Sequence, residues 1–189
     1  MTWIDEECAK LPTWEDTIPW LYLDNARKPN ATTAQGFLVA SLAESLKLPW
    51  ETPTGGVATT AEVTADWERV TGMQGGLAAT AYKTAASLLL DEAEIEVLTR
   101  SFVESLYGPI KALFPGFDSF PSTAQVATAD MFYNPGAGRL RSGYPEFCAA
   151  GRASPPDFKA MAAQCARNSW MPAFAKRNAW TAQQFLLAV

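Results

Sequence analysis

The stretch from residue 18 to residue 38 constrains the fold more than any other part of this chain. The alternation of side chains in Ile18–Asp24 and the turn rich in proline and asparagine at residues 25–31 predict a hairpin of two or three strands. No other part of the sequence carries a comparable strand signal, so the β structure is expected to be small.

Helix signals dominate the rest of the chain. Residues 3–10 are expected to form a short helix, and a second helix is expected over Leu38–Leu48, before Pro49. Further helix starts are indicated by side chains that can cap a first turn, at Thr59 with Glu62, Asp91 with Glu94, Ser122 with Gln125, and Ser154 before Pro155. The last helix covers about residues 178–188. The sequence therefore predicts an α+β fold that is mostly helical.

Composition narrows the class of protein. The chain has 189 residues, of which 48% are hydrophobic and 19% charged, so it can bury a core and is not expected to be disordered. Its net charge is −5, which argues against nucleic acid as a partner because phosphate binding requires a concentrated basic face. No stretch reaches the ~18 apolar residues that a membrane span requires, so stable membrane insertion is not expected.

The absence of histidine removes several kinds of catalytic chemistry. Serine and cysteine nucleophiles that depend on an imidazole base, and histidine metal sites, are all excluded. The three cysteines, Cys8, Cys148 and Cys165, lack the paired spacing of a zinc site, so no metal and no cofactor are expected. A bridge between Cys148 and Cys165 in an oxidising compartment stays open. Carboxylates, hydroxyls, lysine and arginine remain for catalysis.

Glu15 and Asp24 form the candidate catalytic pair. Hydrolysis of a glycosidic bond uses two carboxyl groups in unlike settings that face each other across a cleft. Glu15 lies among tryptophans and an isoleucine, an apolar neighbourhood that disfavours its charged form, whereas Asp24 opens a polar turn that favours the ionised form. One acid and one base would result. The alternative is that both are surface charges, one at a helix end and one in a turn.

The segment around this pair resembles the active-site stretch of phage-type muramidases, the members of the lysozyme superfamily that include phage endolysins and pesticin-like bacteriocins. That stretch typically has Glu, eight residues, Asp, and then a β-hairpin that ends Thr-x-Gly-x-Gly before a helix. Glu15 and Asp24 have this spacing, and the intervening run Pro-x-x-Tyr-x-Asp also matches. The chain departs from the pattern at Ala34, which replaces the first glycine, and at Phe37, where a histidine is usual.

The functional threonine of this resemblance is either Thr32 or Thr33. The hairpin is about two residues longer than is usual in the family, which leaves the register open. Thr32 is preferred because it keeps the four-residue step to Gly36.

Two segments far downstream are also similar to the family. Residues 129–138 resemble the end of the helix that faces the cleft from the other lobe, which makes Asn134 a candidate substrate-binding residue. The run that starts at Arg177 resembles the closing helix, whose arginine can pair with the catalytic glutamate, and Arg177 is the second candidate substrate-binding residue. Arg167 begins the same Arg-Asn dipeptide ten residues earlier and is a rival for that role.

The resemblance implies a single lysozyme-like domain over residues 1–189. Its small lobe would cover about residues 13–70 plus the N-terminal helix, its helical lobe about residues 77–189, and the cleft would lie between them. The implied activity is hydrolysis of the β-1,4 bond between N-acetylmuramic acid and N-acetylglucosamine in peptidoglycan, with inversion. Glu15 would be the general acid, and Asp24 with Thr32 would activate a water molecule.

Two alternatives and several biological questions stay open. The chain could be a non-catalytic glycan-binding protein with a lysozyme-like fold, or a helical interaction protein whose matches are accidental. The N-terminus lacks the basic start and apolar core of a secretory signal. The expected route is therefore synthesis in the cytoplasm and action in the periplasm or cell wall after secretion or lysis. Endolysin and interbacterial effector both fit, and an effector would have an immunity protein as its cognate partner.

Overall fold

The computed structural model describes residues 2–167 and 172–189. The chain divides into two compact units, one formed by Leu11–Arg100 and the other by Met1–Lys10 together with Ser101–Val189. Within the described residues, helices dominate and the named strands form a small antiparallel sheet, which confirms the α+β class. Among these residues, none of the helices combines the length and the apolar character that crossing a bilayer requires.

The unit Leu11–Arg100 is organised around the three-stranded sheet, in the order β1-β2-β3. The strands are β1 (Ile18–Leu23), β2 (Ala31–Ala34) and β3 (Phe37–Leu38). Leu21 and Leu23 are buried, whereas Tyr22 between them is half-buried, as the two-residue period of a strand requires. The predicted hairpin is therefore confirmed, in its three-stranded form.

Helices complete the core of this unit. They are α2 (Leu42–Ser45), α3 (Thr60–Thr71) and α4 (Glu92–Ser105), and the boundary between the two units falls within α4. The capping box at the start of α3 is confirmed, because the side chains of Thr59 and Glu62 each bond the backbone of the other. The expected helix over Leu38–Leu48 was wrong in its extent. The N–H of Val39 donates to the carbonyl of Ala31, which continues the sheet and delays the helix.

The other unit is a bundle of short helices around α6 (Ser122–Tyr133), which is almost completely buried. Phenylalanine rings pack beside it, among them Phe114, Phe147 and Phe185. The helices of this unit besides α6 are α1 (Trp3–Lys10), α5 (Tyr107–Leu113), α7 (Gly136–Gly143), α8 (Pro145–Arg152), α9 (Phe158–Gln164) and α10 (Ala175–Leu186).

The boundaries of the units differ from the lobes expected at about residues 13–70 and 77–189. Helix α1 groups with the helical unit because it packs on α6, and not with the small lobe. The sheet unit extends to Arg100 because Leu88, Leu90 and Ile95 enter the same apolar core as the strands. Apolar burial, and not the loop at residues 72–76, thus fixes the division.

Two predicted helix caps were wrong. The side chain of Ser122 makes no capping bond at the start of α6, and Gln125 instead donates to the carbonyl of Phe117. Helix α9 is capped by Asp157, whose side chain accepts from the N–H of Ala160, and not by Ser154. In both cases a suitable residue type was present, but the chain began its helix in another register.

None of Cys8, Cys148 and Cys165 forms a disulfide. Cys148 and Cys165 are both buried, and each thiol donates to a backbone carbonyl instead of joining the other. Burial raises the pKa of Cys165 to about 11 and raises the pKa of Cys148 in the same direction. These two thiols therefore belong to the apolar core of the helical unit.

Candidate functional site

Glu15 lies just before the sheet. A 3-10 turn, Leu11–Thr13, follows α1, and the N–H of Glu15 donates to the carbonyl of Leu11 at 2.9 Å. This bond closes the turn at Glu15, and β1 begins three residues later. The side chain of Glu15 is half-buried, in agreement with its apolar sequence neighbourhood.

Asp24 follows directly after β1 and begins the turn to β2. Its Oδ1 accepts the N–H groups of Ala26 at 3.1 Å and Asn30 at 2.9 Å, and its Oδ2 accepts the side-chain amide of Asn30 at 2.9 Å. The backbone N–H of Asp24 also donates to the carbonyl of Asn30 at 3.0 Å. Asp24 is thus a structural part of the turn, and its carboxylate is held in one orientation.

The pKa of Tyr22 depends on both carboxylates. Burial raises the pKa of Tyr22 to about 12, and the charges of Glu15, Asp24 and Asp16 add to that rise, in that order. Glu15 and Asp24 thus act on the same phenol of the sheet unit, and the charge of each opposes its ionisation.

Thr32 lies on the face of the sheet that carries Tyr22, because these two residues are directly opposite each other in the pairing of β1 and β2. Its hydroxyl donates to the carbonyl of Asn30 at 3.1 Å, and the residue is only 4% exposed. Thr33 points to the opposite face, where its hydroxyl donates to the carbonyl of Ile18 at 3.3 Å. Of the two candidate threonines, Thr32 is the one that shares a face with Tyr22.

The turn between β2 and β3 places two residues in the left-handed region of the backbone. Ala34 has a φ of +52°, and Gly36 has a φ of +87°. A left-handed conformation costs an L-residue such as alanine roughly 1–2 kcal/mol. The surroundings hold Ala34 there, since it is fully buried and the next side chain, Gln35, bonds both Thr17 and Thr99.

We expect substitution of Glu15 by glutamine to lower the pKa of Tyr22. The exchange removes one of the negative charges that oppose formation of the phenolate, whereas burial, the largest cause, remains. The measurement is a spectrophotometric titration of the phenol, with Tyr22→Phe as the reference that isolates its signal. The pKa should fall from about 12 toward, but not to, the ordinary value of 10.0.

Glu68→Gln, which removes a charge on the exposed side of α3, is the control and should leave the titration unchanged. An unchanged Tyr22 pKa in Glu15→Gln would show that Glu15 lies away from the phenol. The raised pKa also predicts that stability falls as pH rises from about 10 toward about 12, since the unfolded chain loses this proton first.

The remaining predicted residues lie in the helical unit. Asn134 is exposed and ends α6. Arg177 is 3% exposed, and its Nε and Nη2 both lie 2.8 Å from Oδ1 of Asp130. Its rival Arg167 is 1% exposed and reaches Oδ2 of the same carboxylate at 2.7 Å. Both arginines therefore engage a residue that the sequence analysis did not single out.

The sequence analysis did not identify Asp130 and Asn30 as partners of the predicted site residues, although a feature of the sequence pointed to each of them. Asp130 is the only acidic residue in the otherwise apolar and small-residue run of α6. Asn30 stands six residues after Asp24, the spacing at which a side chain can return across a polar turn. Neither signal identifies the partner, which lies 37 or more residues away for Asp130.

Among residues 2–167 and 172–189, no group of three or more cysteine and carboxylate side chains could hold a metal ion. The site described above thus consists of carboxylates, hydroxyls and a phenol. Comparison of the chain with protein-family models, with curated proteins and with solved structures gives no significant match.

Proposed function

We propose that this protein is a peptidoglycan hydrolase, a muramidase that cleaves the β-1,4 bond between N-acetylmuramic acid and N-acetylglucosamine by acid–base hydrolysis. The observation that carries the proposal is that Asp24 is fixed by the turn directly after β1, and that Asp24 and Glu15 both act on Tyr22, which pairs directly with Thr32 in the sheet. Two carboxyl groups near one point of the surface, in unlike settings, are what this chemistry uses. The proposed fold is lysozyme-like.

Glu15 is the general acid in this proposal. It is half-buried directly after a turn that its own backbone N–H helps to close, and in this role it protonates the leaving oxygen. Asp24 is the base. Three donors of the turn fix its orientation, and Oδ2 accepts only one of them, which leaves acceptor capacity for a water molecule.

Thr32 assists Asp24 in this proposal. Its hydroxyl donates to the carbonyl of Asn30, so its oxygen can accept a hydrogen bond from the attacking water. Inversion at the anomeric carbon would require a separation of roughly 6.5–9.5 Å between the two carboxyl groups, which leaves room for that water. No metal or cofactor takes part.

The two residues of the helical unit have different proposed roles. Asn134 is exposed, and its amide is available to contact a sugar. Arg177 is buried and bonded to Asp130, so we propose that it holds α6 in position and does not contact the glycan directly. The left-handed backbone of Ala34 supports the resemblance to the muramidase pattern, because that pattern has glycine at this position.

The test is digestion of purified sacculi with the wild-type protein. A muramidase generates new reducing ends, and mass spectrometry of the soluble products gives muropeptides that end in N-acetylmuramic acid. Products that end in N-acetylglucosamine, or products cut only in the stem peptide, would contradict the proposed bond.

The proposed site of action is the periplasm or cell wall, which the protein would reach after secretion or lysis. If the protein is an interbacterial effector, its partner would be an immunity protein.

The second candidate is a protein that binds glycan without cleaving it. The observation that favours it is the engagement of Asp24 and Thr32 in the turn, where Asp24 accepts three hydrogen bonds and Thr32 is 4% exposed. In this case Asp24 would serve the hairpin and not a water molecule. The same digestion separates the two functions, because a binding protein is retained on sacculi and releases no new reducing ends.

A further inference from the structure

The sheet unit has a cavity that neither Glu15 nor Asp24 lines. It has a volume of about 410 Å³ and is bounded by one side of α3, by the loop around Pro53 and by the segment before Leu88. Of the residues assigned to the proposed hydrolysis, none lines it. An open cavity of this size can admit a small organic molecule or a side chain.

Asp66 gives this cavity its chemical character. Its side chain is only 7% exposed, and its Oδ1 accepts two hydrogen bonds from Arg69, from Nε at 3.0 Å and from Nη2 at 2.6 Å. Its Oδ2 accepts no hydrogen bond from any residue that the structure describes, yet it is not sealed from solvent. Carboxylate oxygens that are this deeply placed normally have donors. Oδ2 is thus an acceptor that is open toward a ligand.

Arg69 cannot easily move to cover this oxygen. Its Nη1 donates to the carbonyl of Tyr82 at 2.7 Å, and its Nη2 donates to the hydroxyl of Ser87 at 3.1 Å. These bonds tie the guanidinium to the segment that forms the other side of the cavity. The geometry of Asp66 is therefore fixed before any ligand arrives, which reduces the entropic cost of binding.

The charge and the apolar lining indicate the class of ligand. Glu62, Asp66 and Arg69 all line the cavity, so its balance is one negative charge, and the remaining wall includes Ala65, Ala86 and Leu88. An anion is disfavoured by this balance. A divalent metal ion would need several oxygen ligands in a cage, and one open carboxylate oxygen does not supply them.

We propose that this cavity binds a primary ammonium group carried on a short aliphatic chain. The ammonium donates to Oδ2 of Asp66, and the methylene groups pack against the alanine and leucine side chains of the wall. Binding at this cavity does not depend on the proposed hydrolysis, since the residues concerned are different.

The test uses n-pentylammonium as the probe and 1-pentanol, which has the same chain without the charge, as its matched control. Amide chemical shifts of the full chain are followed during titration of each probe. We expect n-pentylammonium to shift resonances of α3 around Asp66 and of residues 85–88, and to bind about ten-fold or more tightly than 1-pentanol. Equal binding of the two probes, or shifts elsewhere only, would overturn the proposal.

Three variants complete the experiment. Asp66→Asn should weaken n-pentylammonium binding by about ten-fold or more, because it removes the charged acceptor. Ala65→Leu should also weaken it by filling the cavity, and this exposed position on α3 tolerates leucine without loss of helix. Glu68→Gln, which removes a charge from α3 outside the cavity, should bind as the wild type does. Unchanged affinity in Ala65→Leu would contradict the assignment even if Asp66→Asn fails to fold.

Discussion

If the proposed function holds, we expect substitution of Glu15 by glutamine to abolish the release of reducing ends from purified peptidoglycan and to leave the fold intact. Glutamine has the shape of glutamic acid but cannot deliver a proton to the leaving oxygen. A positioned general acid contributes typically ~10²–10⁴-fold to a rate, so a loss of at least ~100-fold is expected. The backbone N–H of Glu15, which closes the preceding turn, is unaffected by the exchange. The circular dichroism spectrum should therefore match that of the wild type.

Asp16→Asn provides the matched control for this experiment. Asp16 is the adjacent residue, is exposed, and its charge also contributes to the raised pKa of Tyr22. Each variant replaces a carboxyl group in the same neighbourhood by an amide, but only Glu15→Gln removes the proposed acid. We expect Asp16→Asn to retain most of the wild-type rate. A Glu15→Gln protein that still clears peptidoglycan at the wild-type rate would defeat the catalytic assignment.

Substitution of Asp130 by asparagine strongly destabilises the helical unit. Asp130 is fully buried and accepts from both Arg167 and Arg177, and the hydroxyl of Thr181 lies 2.7 Å from its Oδ2. The exchange leaves two buried guanidinium groups without this counter-charge. Removal of one partner from a buried ion pair costs about 3–5 kcal/mol, because the remaining charge is uncompensated. Chemical denaturation followed by circular dichroism measures the change in the free energy of unfolding.

Asp118→Asn is the control for this second prediction. Asp118 belongs to the same unit and also has a cation and a hydroxyl as partners, Lys111 and Tyr107, but its side chain is 57% exposed. Water solvates the lysine once the carboxylate is gone, so we expect little change in stability. Equal losses in Asp130→Asn and Asp118→Asn would show that burial of the network does not make it important for the fold.

The two predicted arginines illustrate how far sequence analysis can reach. The repeated Arg-Asn dipeptide identified Arg167 and Arg177 as alternatives for one role, but in the structure both bond Asp130. Sequence spacing does not reveal this arrangement, because the ion pairs join residues 37 and 47 positions apart. The charge of a buried side chain indicates that it needs a partner, and only packing selects which one.

Helix starts show the same difference on a local scale. The capping box that Thr59 forms with Glu62 could be predicted because both partners lie within one turn of the same helix. Ser122 and Gln125 have the same spacing, yet the amide of Gln125 donates instead to the carbonyl of Phe117. A competing contact with the preceding segment therefore decided the outcome at this second position.

The sequence by itself determined the features that depend on near neighbours. These include the hairpin over residues 18–38, the helical character of most of the chain, and the exclusion of chemistry that depends on histidine. Tertiary structure decided the features that depend on distant segments. It assigned α1 to the helical unit, delayed α2 through the bond of Val39 to Ala31, placed Thr32 and not Thr33 on the face of Tyr22, and paired two arginines with one aspartate. The physical reason is that burial and charge compensation act through space, whereas capping, turn formation and strand alternation act along the chain.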